Sequence, residues 1–212
     1  LMSVERASDQ VARDIRDILP IEFPVSSFDL DLDHLQETVE GLDAVAQASV
    51  RIRSGGVLEV EVQERVPSVI WRTEDNMTLL DRTGHRVAPL ADRGDRPDLP
   101  LIAGPGADDQ IAEALALMEV AAPLMGRMRG LLRIGERRWD IVLDRDQRIM
   151  LPETGAITAL EKVIALDAAQ DLLPRDIAAV DFRNPRRPVL RLTSQAISTM
   201  YETEISLEQD TQ

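Results

Sequence analysis

The fold of the first part of the chain is decided by residues 45–65, VAQASVRIRSGGVLEVEVQER. Two segments with alternating β-branched residues flank Ser54-Gly55-Gly56, a pattern typical of an antiparallel hairpin. The alternation puts Val57, Glu59 and Glu61 on one face and the intervening apolar residues on the other. We therefore expect a sheet that buries one face and presents charge on its other face.

The residues before this hairpin predict a strand and two helices. Residues 1–7, LMSVERA, read as a strand, and Ser8 is placed to cap a helix that ends before Pro20. Residues 21–30 read as a loop, and a second helix carries apolar residues at helical spacing over residues 32–42. The predicted order through residue 66 is β-α-α-β-β, which allows two helices to cover one face of a three-stranded sheet.

The remaining residues predict a second sheet with flanking helices. Pro67 precedes strand patterns, the polar run at 91–100 reads as a surface loop, and helices are expected at 108–127 and 156–173, the latter with Ile157 and Leu160 facing inward. The fold class is thus α+β. The predicted divisions are a small domain at 1–66, a larger mixed β domain at 67–193 and an acidic tail at 194–212.

Composition restricts the classes of function. Hydrophobic residues make up 44% and charged residues 29% of the 212 residues, which is typical of a globular protein. A formal charge of -14 disfavours nucleic acid or an anionic membrane as the overall partner. The absence of cysteine excludes disulfides, thiolate catalysis and cysteine-based zinc sites.

No catalytic, metal or cofactor site is predicted. His34 and His85 are remote in sequence and have no ligand at metal-binding spacing. The segment Gly104-Pro105-Gly106 precedes a helix but lacks the complete glycine fingerprint and the lysine of a phosphate-binding loop. Paired acids such as Asp144 and Asp146 are better explained as solvated turns than as acid/base pairs.

An arginine-rich stretch near the C-terminus is the strongest candidate for a binding surface. Four arginines fall within nine residues that contain no acid, in a chain with 38 acidic residues: Arg183, Arg186, Arg187 and Arg191. Arginine grips carboxylates with two parallel hydrogen bonds, so acidic partner side chains would fit. A solvated β edge that discourages aggregation is the alternative, and the two roles are compatible.

Three stretches resemble the FtsQ/DivIB family of bacterial division proteins: VQERVPSVIW at 62–71, RRWDIVL at 137–143 and VDFRNPRRPVLRLT at 180–193. The resemblance covers the chain from Leu1 to about Thr193 and implies a POTRA (polypeptide-transport-associated) domain followed by a β domain. It also implies a non-enzymatic, single-pass inner-membrane protein with an anchor upstream of Leu1 and with this region in the periplasm at the division septum.

The same resemblance implies a partner and a set of contacts. The partner would be FtsB, which pairs with FtsL, bound as an added strand along VLRLT at 189–193. The partner-binding residues expected from this are Arg183, Asn184, Arg186, Arg187, Val189, Arg191, Leu192 and Arg137. Relatives carry Tyr, Ser, Gly and Trp at positions taken here by Asn184, Arg186, Arg187 and Leu192, so the usual aromatic anchors are absent.

A second class of binding protein is the alternative. A POTRA-containing protein of outer-membrane assembly or secretion would capture client polypeptides by strand addition. Such a chain should carry further POTRA repeats or a β-barrel, and residues 67–193 show neither pattern.

Overall fold

The computed structural model describes residues 1–19, 21 and 30–200. The chain divides into two compact units: Leu1–Val69 with Met77–Arg96, and Ile70–Asn76 with Pro97–Gln212. Residues 22–29 of the loop predicted at 21–30, and residues 201–212 of the acidic tail predicted at 194–212, lie outside the described residues. The domain boundaries expected from the sequence remain predictions.

The first unit contains the small sheet expected from residues 45–65. Its elements in chain order are β1 (Met2–Glu5), α1 (Asp9–Ile18), α2 (Leu32–Glu40), β2 (Val45–Arg53) and β3 (Val57–Glu64). Strand β3 is central, parallel to β1 and antiparallel to β2. The β-α-α-β-β order is therefore observed, with both helices inserted between β1 and the hairpin.

Local capping and apolar burial explain these helices. The Ser8 hydroxyl accepts a hydrogen bond from the Val11 amide at 3.4 Å, and the Asp31 carboxylate accepts one from the His34 amide at 3.1 Å. The side chains that form the core come from both helices and all three strands. Ile15, Val39 and Val60 are fully buried there, so helix packing on the sheet supplies most of the helices' stability.

The other face of the small sheet carries ion pairs. The Glu59 carboxylate accepts a hydrogen bond from Arg51 Nε at 2.8 Å and also pairs with Arg53. Although the sequence places Glu59 on the charged face, its side chain is only 1% exposed, because these two arginines cover it. A carboxylate so enclosed needs this pairing, since an unpaired charge would be costly there.

The first unit also contains a hairpin of β5 (Met77–Leu80) and β6 (Arg86–Leu90), which follow β4 (Val69–Arg72) in the chain. Asp81 organises its turn by accepting hydrogen bonds from the Thr83 amide at 2.8 Å and the His85 amide at 3.0 Å. It also accepts a hydrogen bond from Arg65 Nη1 at 2.9 Å. One carboxylate thus connects the turn to the segment that follows β3.

The second unit contains most of the larger sheet. Its remaining elements are β7 (Leu101–Ala103), α3 (Ile111–Val120), β8 (Met128–Ile134), β9 (Arg138–Leu143), β10 (Arg148–Met150), α4 (Ala156–Gln170), β11 (Ile177–Asp181) and β12 (Val189–Leu192). The strand order is β12-β11-β10-β9-β8-β7-β4. Strand β12 is antiparallel to β11, which in turn is parallel to β10.

A partly buried polar cluster attaches α3 to this sheet. Glu113 of α3 accepts hydrogen bonds from the Trp139 indole and from Arg133 Nη1, each at 2.9 Å. The Arg133 guanidinium also lies 4.9 Å from the centre of the Trp139 ring. Trp139 is fully buried, so it packs in the core, as its strand position suggests. Helix α4 packs against α3.

Two helix expectations need correction. The helix predicted at 108–127 is shorter, because α3 ends at Val120 and Pro123 lies in a 3-10 turn after it. In α4 the buried stripe includes Ala159 and Val163, whereas Ile157 is 38% exposed. Tertiary packing, which a periodicity count does not contain, decides which of several apolar stripes is buried. No helix within the described residues is long and apolar enough to cross a membrane.

Candidate functional site

Strand β12 lies at the end of the strand order, where the sequence places the candidate edge. Within the described residues it pairs with β11, with Val189 opposite Asp181, Leu190 opposite Val180 and Arg191 opposite Ala179. The register shifts between Ile177 and Ala179 of β11, which indicates a bulge there. Among the described residues, no strand pairs with the other long side of β12.

One hydrogen bond shows which backbone groups of β12 face β11. The Thr193 amide donates to the Asp176 carbonyl at 2.9 Å, so the amide and carbonyl of Thr193 face β11. Because successive residues of a strand alternate in direction, the backbone groups of Arg191 also face β11, and those of Leu190 and Leu192 face away from it. The unpaired side of the edge therefore offers the amide and carbonyl of Leu190 and Leu192.

The side chains of β12 combine exposed apolar and basic groups. Val189 is 52% exposed and Leu190 is 47% exposed, which are high values for apolar residues of a strand. Arg191 is exposed beside them, whereas Leu192 is half-buried. Val189 and Arg191 share one face of the sheet and Leu190 lies on the other, so a partner strand would meet different side chains on its two faces.

Arg183 is already engaged by a carboxylate of its own chain. Its Nε lies 3.0 Å from both carboxylate oxygens of Asp181, and its Nη2 lies 2.6 Å from one of them. These hydrogen bonds hold the pKa of Asp181 below its ordinary value. The sequence suggested an acid-free stretch from residue 183 onward, but the preceding Asp181 contributes the neutralising charge. The Arg183 side chain remains 52% exposed.

The turn between β11 and β12 carries the other predicted arginines. The Asn184 side-chain oxygen accepts a hydrogen bond from the Arg186 amide at 3.1 Å, and the Asn184 carbonyl accepts one from the Arg187 amide at 3.0 Å. Asn184 thus has a local structural role in the turn. Both arginine side chains are exposed, and in the described part of the chain neither they nor Arg191 forms an ion pair within 4.0 Å.

The segment RRWDIVL at 137–143 reads as a strand in the sequence, but Arg137 itself lies outside it. It is exposed in the turn between β8 and β9, where its amide donates to the Ile134 carbonyl at 3.3 Å. Strands β10 and β11 separate β9 from β12, so Arg137 is not brought next to Arg183 or the edge in the strand order. Arg138, the next residue, opens β9 and pairs with Asp140.

A row of side chains that the sequence interpretation missed crosses this face of the sheet. Asp140, Met150, Asp181 and Val189 lie opposite one another on β9, β10, β11 and β12. The Asp140 side chain is only 2% exposed, and burial raises its pKa above the ordinary value even though Arg138 opposes this shift. The alternation of Arg138, Asp140 and Val142 was the available signal, since it puts these three on one face.

The arrangement supports recognition more readily than chemistry. The edge offers backbone donors and acceptors beside an exposed valine and several guanidinium groups, which suits an extended segment with acidic side chains. No group of three or more potential metal ligands occurs among the described residues.

Comparison with known proteins gives the family. The model of the family described as "Cell division protein FtsQ/DivIB, C-terminal" matches residues 69–183. A protein named Cell division protein FtsQ from Roseobacter litoralis is 52% identical over 202 residues, covering 95% of this chain and 69% of that protein. Another with the same name from Paracoccus denitrificans is 53% identical over 196 residues, covering 92% of this chain and 58% of that protein.

A solved structure is also similar. The extracytoplasmic domain of the division protein DivIB from Geobacillus stearothermophilus matches with a TM-score of 0.35 and 19% identity, covering 51% of this chain and 96% of that one. The sequence matches carry the assignment, because they extend over more than nine tenths of the chain at about 50% identity. The chain belongs to the FtsQ/DivIB family of cell division proteins.

Proposed function

We propose that this chain is the periplasmic part of a non-catalytic scaffold of the division machinery, and that it binds FtsB, paired with FtsL, by strand addition at β12. In this proposal an anchor upstream of Leu1 holds the protein in the inner membrane at the septum. Binding would help to assemble and regulate septal peptidoglycan synthesis. The observation that carries the proposal is the exposed terminal strand β12, with backbone groups of Leu190 and Leu192 facing outward.

The geometry defines how the added strand would bind. It would form hydrogen bonds with the amide and carbonyl of Leu190 and of Leu192, because these groups face away from β11. Pro188 has no amide hydrogen and limits the edge on one side. Residues 194–200 are helical and limit it on the other. The docking edge is therefore short, and side chains must contribute much of the specificity.

Side chains on the face of Val189 would provide that specificity. Val189 offers an apolar contact, and Arg191 offers a guanidinium on the same face. Arg186 and Arg187 extend the basic surface at the turn. A partner carboxylate at Arg183 would share the guanidinium with Asp181 or displace the Asp181 carboxylate. Arg183 should therefore contribute less binding free energy than an arginine without an ion-pair partner.

The backbone part of the proposal is tested at Leu190. Leu190→Pro removes an outward amide while leaving the hydrogen bonds between β12 and β11 in place, and Leu190→Ala keeps the amide but shortens the side chain. We expect fluorescence anisotropy with a labelled periplasmic FtsB segment to show at least about tenfold weaker binding for the proline variant. The alanine variant should lose less than about threefold. Equal binding by both variants and the unaltered protein would refute strand addition.

The electrostatic part is tested by charge reversal. Arg191→Glu should weaken binding of the same segment more than Arg82→Glu, which makes the same charge change at an exposed position of the first unit. The difference should shrink as salt is raised, because exposed charges are screened. If both reversals have the same effect, the basic surface acts only through net charge and the proposed contact is wrong.

A further inference from the structure

A groove of about 830 Å³ lies in the first unit, apart from the β12 edge. It is lined by the first turns of α1, the turn between α2 and β2, the end of β3 with the following residues, and the β5–β6 hairpin. Its volume falls within the roughly 300–1,000 Å³ of typical ligand sites. No residue expected to bind FtsB lines it.

The floor of the groove is apolar. Val11, Leu79 and Val87 line it and are 4%, 7% and 8% exposed, and the half-buried Leu42 lines it as well. Val66, which lies in the chain between the lining residues Arg65 and Pro67, is 75% exposed. An apolar side chain of a ligand could therefore pack on the apolar floor and contact the exposed Val66 beside it.

The walls of the groove carry three acids, Asp14, Asp43 and Glu64. Asp14 accepts a hydrogen bond from the Gln10 side-chain amide at 2.8 Å, and Glu64 accepts one from the Ser8 amide, so both of these donors are neutral. In the described ranges none of the three acids has an ion-pair partner within 4.0 Å. The lining residue Arg65 does not balance them, because its guanidinium pairs with Asp81.

Several other acids of the described residues are neutralised within the chain. Glu59, Asp81 and Asp144 each pair with an arginine of the chain. The acids of the groove instead surround an apolar floor without an arginine partner, so basic groups of a ligand would complement their charge. An acidic wall repels phosphate, which excludes nucleic acids and anionic lipid surfaces as its ligands.

We propose that this groove binds a short extended segment of a partner protein that combines basic side chains with an apolar one. The basic groups pair with Asp14, Asp43 and Glu64, while the apolar side chain packs on the floor formed with Val11 and Val87. The β12 edge attracts acidic segments, so the two surfaces select opposite charge. The groove proposal does not depend on strand addition at β12.

The probe is an acetylated and amidated pentapeptide of alternating arginine and leucine, titrated into the ¹⁵N-labelled chain. We expect amide shift changes confined to residues 8–14, 41–44, 64–66, 79 and 87–88, which line or border the groove. A pentapeptide of arginine and serine should bind at least about tenfold more weakly, because it lacks the apolar side chains. Shift changes spread over both units, or equal binding of the two peptides, would overturn the proposal.

Matched charge variants separate the groove from general attraction to an acidic protein. The combined change Asp14→Asn, Asp43→Asn and Glu64→Gln keeps the hydrogen-bond acceptors and should weaken binding of the arginine-leucine peptide by about tenfold or more.

The control changes Asp109→Asn, Glu153→Gln and Glu161→Gln, which are exposed residues of the second unit and give the same change in net charge. It should weaken binding by less than about twofold. Equal weakening in the two triple variants would overturn the proposal.

Discussion

Asp81 provides the sharpest test of how the first unit is held together. Its side chain is 12% exposed and accepts hydrogen bonds from Thr83, His85 and Arg65. Burial alone would raise its pKa, but the Thr83 hydroxyl and amide, Arg65 and the His85 amide together lower the pKa to about 2 from an ordinary value of 3.8. The folded unit therefore favours the charged carboxylate.

The size of this effect follows from linkage. One pKa unit corresponds to about 1.4 kcal/mol, so the lowered pKa implies about 2 kcal/mol of stability near neutral pH. Because the pKa is lowered in the folded state, this contribution is complete above the unfolded pKa and is lost as pH falls from about 4 toward 2. Asp81→Asn should cost about this amount, since the amide removes the charge and turns a donor toward Arg65.

Two measurements check the prediction. Urea denaturation at pH 7 should show a lower unfolding free energy for Asp81→Asn, whereas Asp75→Asn, at an exposed turn residue, should change it by less than about 0.5 kcal/mol. A carboxyl titration followed by NMR should give a midpoint near 2 for Asp81. A variant as stable as the unaltered protein, or an ordinary midpoint, would refute the reasoning.

Two further predictions concern the second unit. Gly104→Ala should lower the free energy of unfolding by about 2 kcal/mol or more, because Gly104 has φ +100° and an added Cβ would lie 2.3 Å from the backbone oxygen of Arg133. Urea denaturation measures this change. Gly126→Ala is the control, because an added Cβ there has no atom within 4 Å. An NMR titration should give a pKa above the ordinary aspartate range for Asp140 and below it for Asp181. As pH rises through that range, the Asp181 carboxylate should therefore add to the free energy of unfolding and the Asp140 carboxylate should reduce it. Matching midpoints for the two carboxyls would contradict the second prediction.

The location of the candidate edge came from the resemblance of the sequence to the FtsQ/DivIB family. That resemblance implied a partner edge at 189–193, and the structure has β12 at the end of the strand order. Arg137 was misplaced because the reversal between β8 and β9 extends through Gly135 and Glu136, both with positive φ, so the strand begins one residue later. A few residues of turn geometry decide such boundaries.

Long-range pairings could not be predicted in the same way. The ion pair between Arg183 and Asp181 joins residues only two positions apart, so the sequence alone could have suggested it. By contrast, the opposition of Asp140 and Asp181 across Met150 depends on the register of three strands, two of which are parallel neighbours joined through α4. Register over such a separation is set by packing of the whole sheet.

The amino-acid sequence by itself determined the α+β class, the order of elements in the first unit and the family, because hydrophobic period, capping residues and turn residues are local properties of the chain. Only the tertiary structure decided which charges are buried and which remain available. Glu59 is enclosed by two arginines, while Asp14, Asp43 and Glu64 line a groove without such partners. The physical reason is that burial and charge balance depend on neighbours brought together by folding.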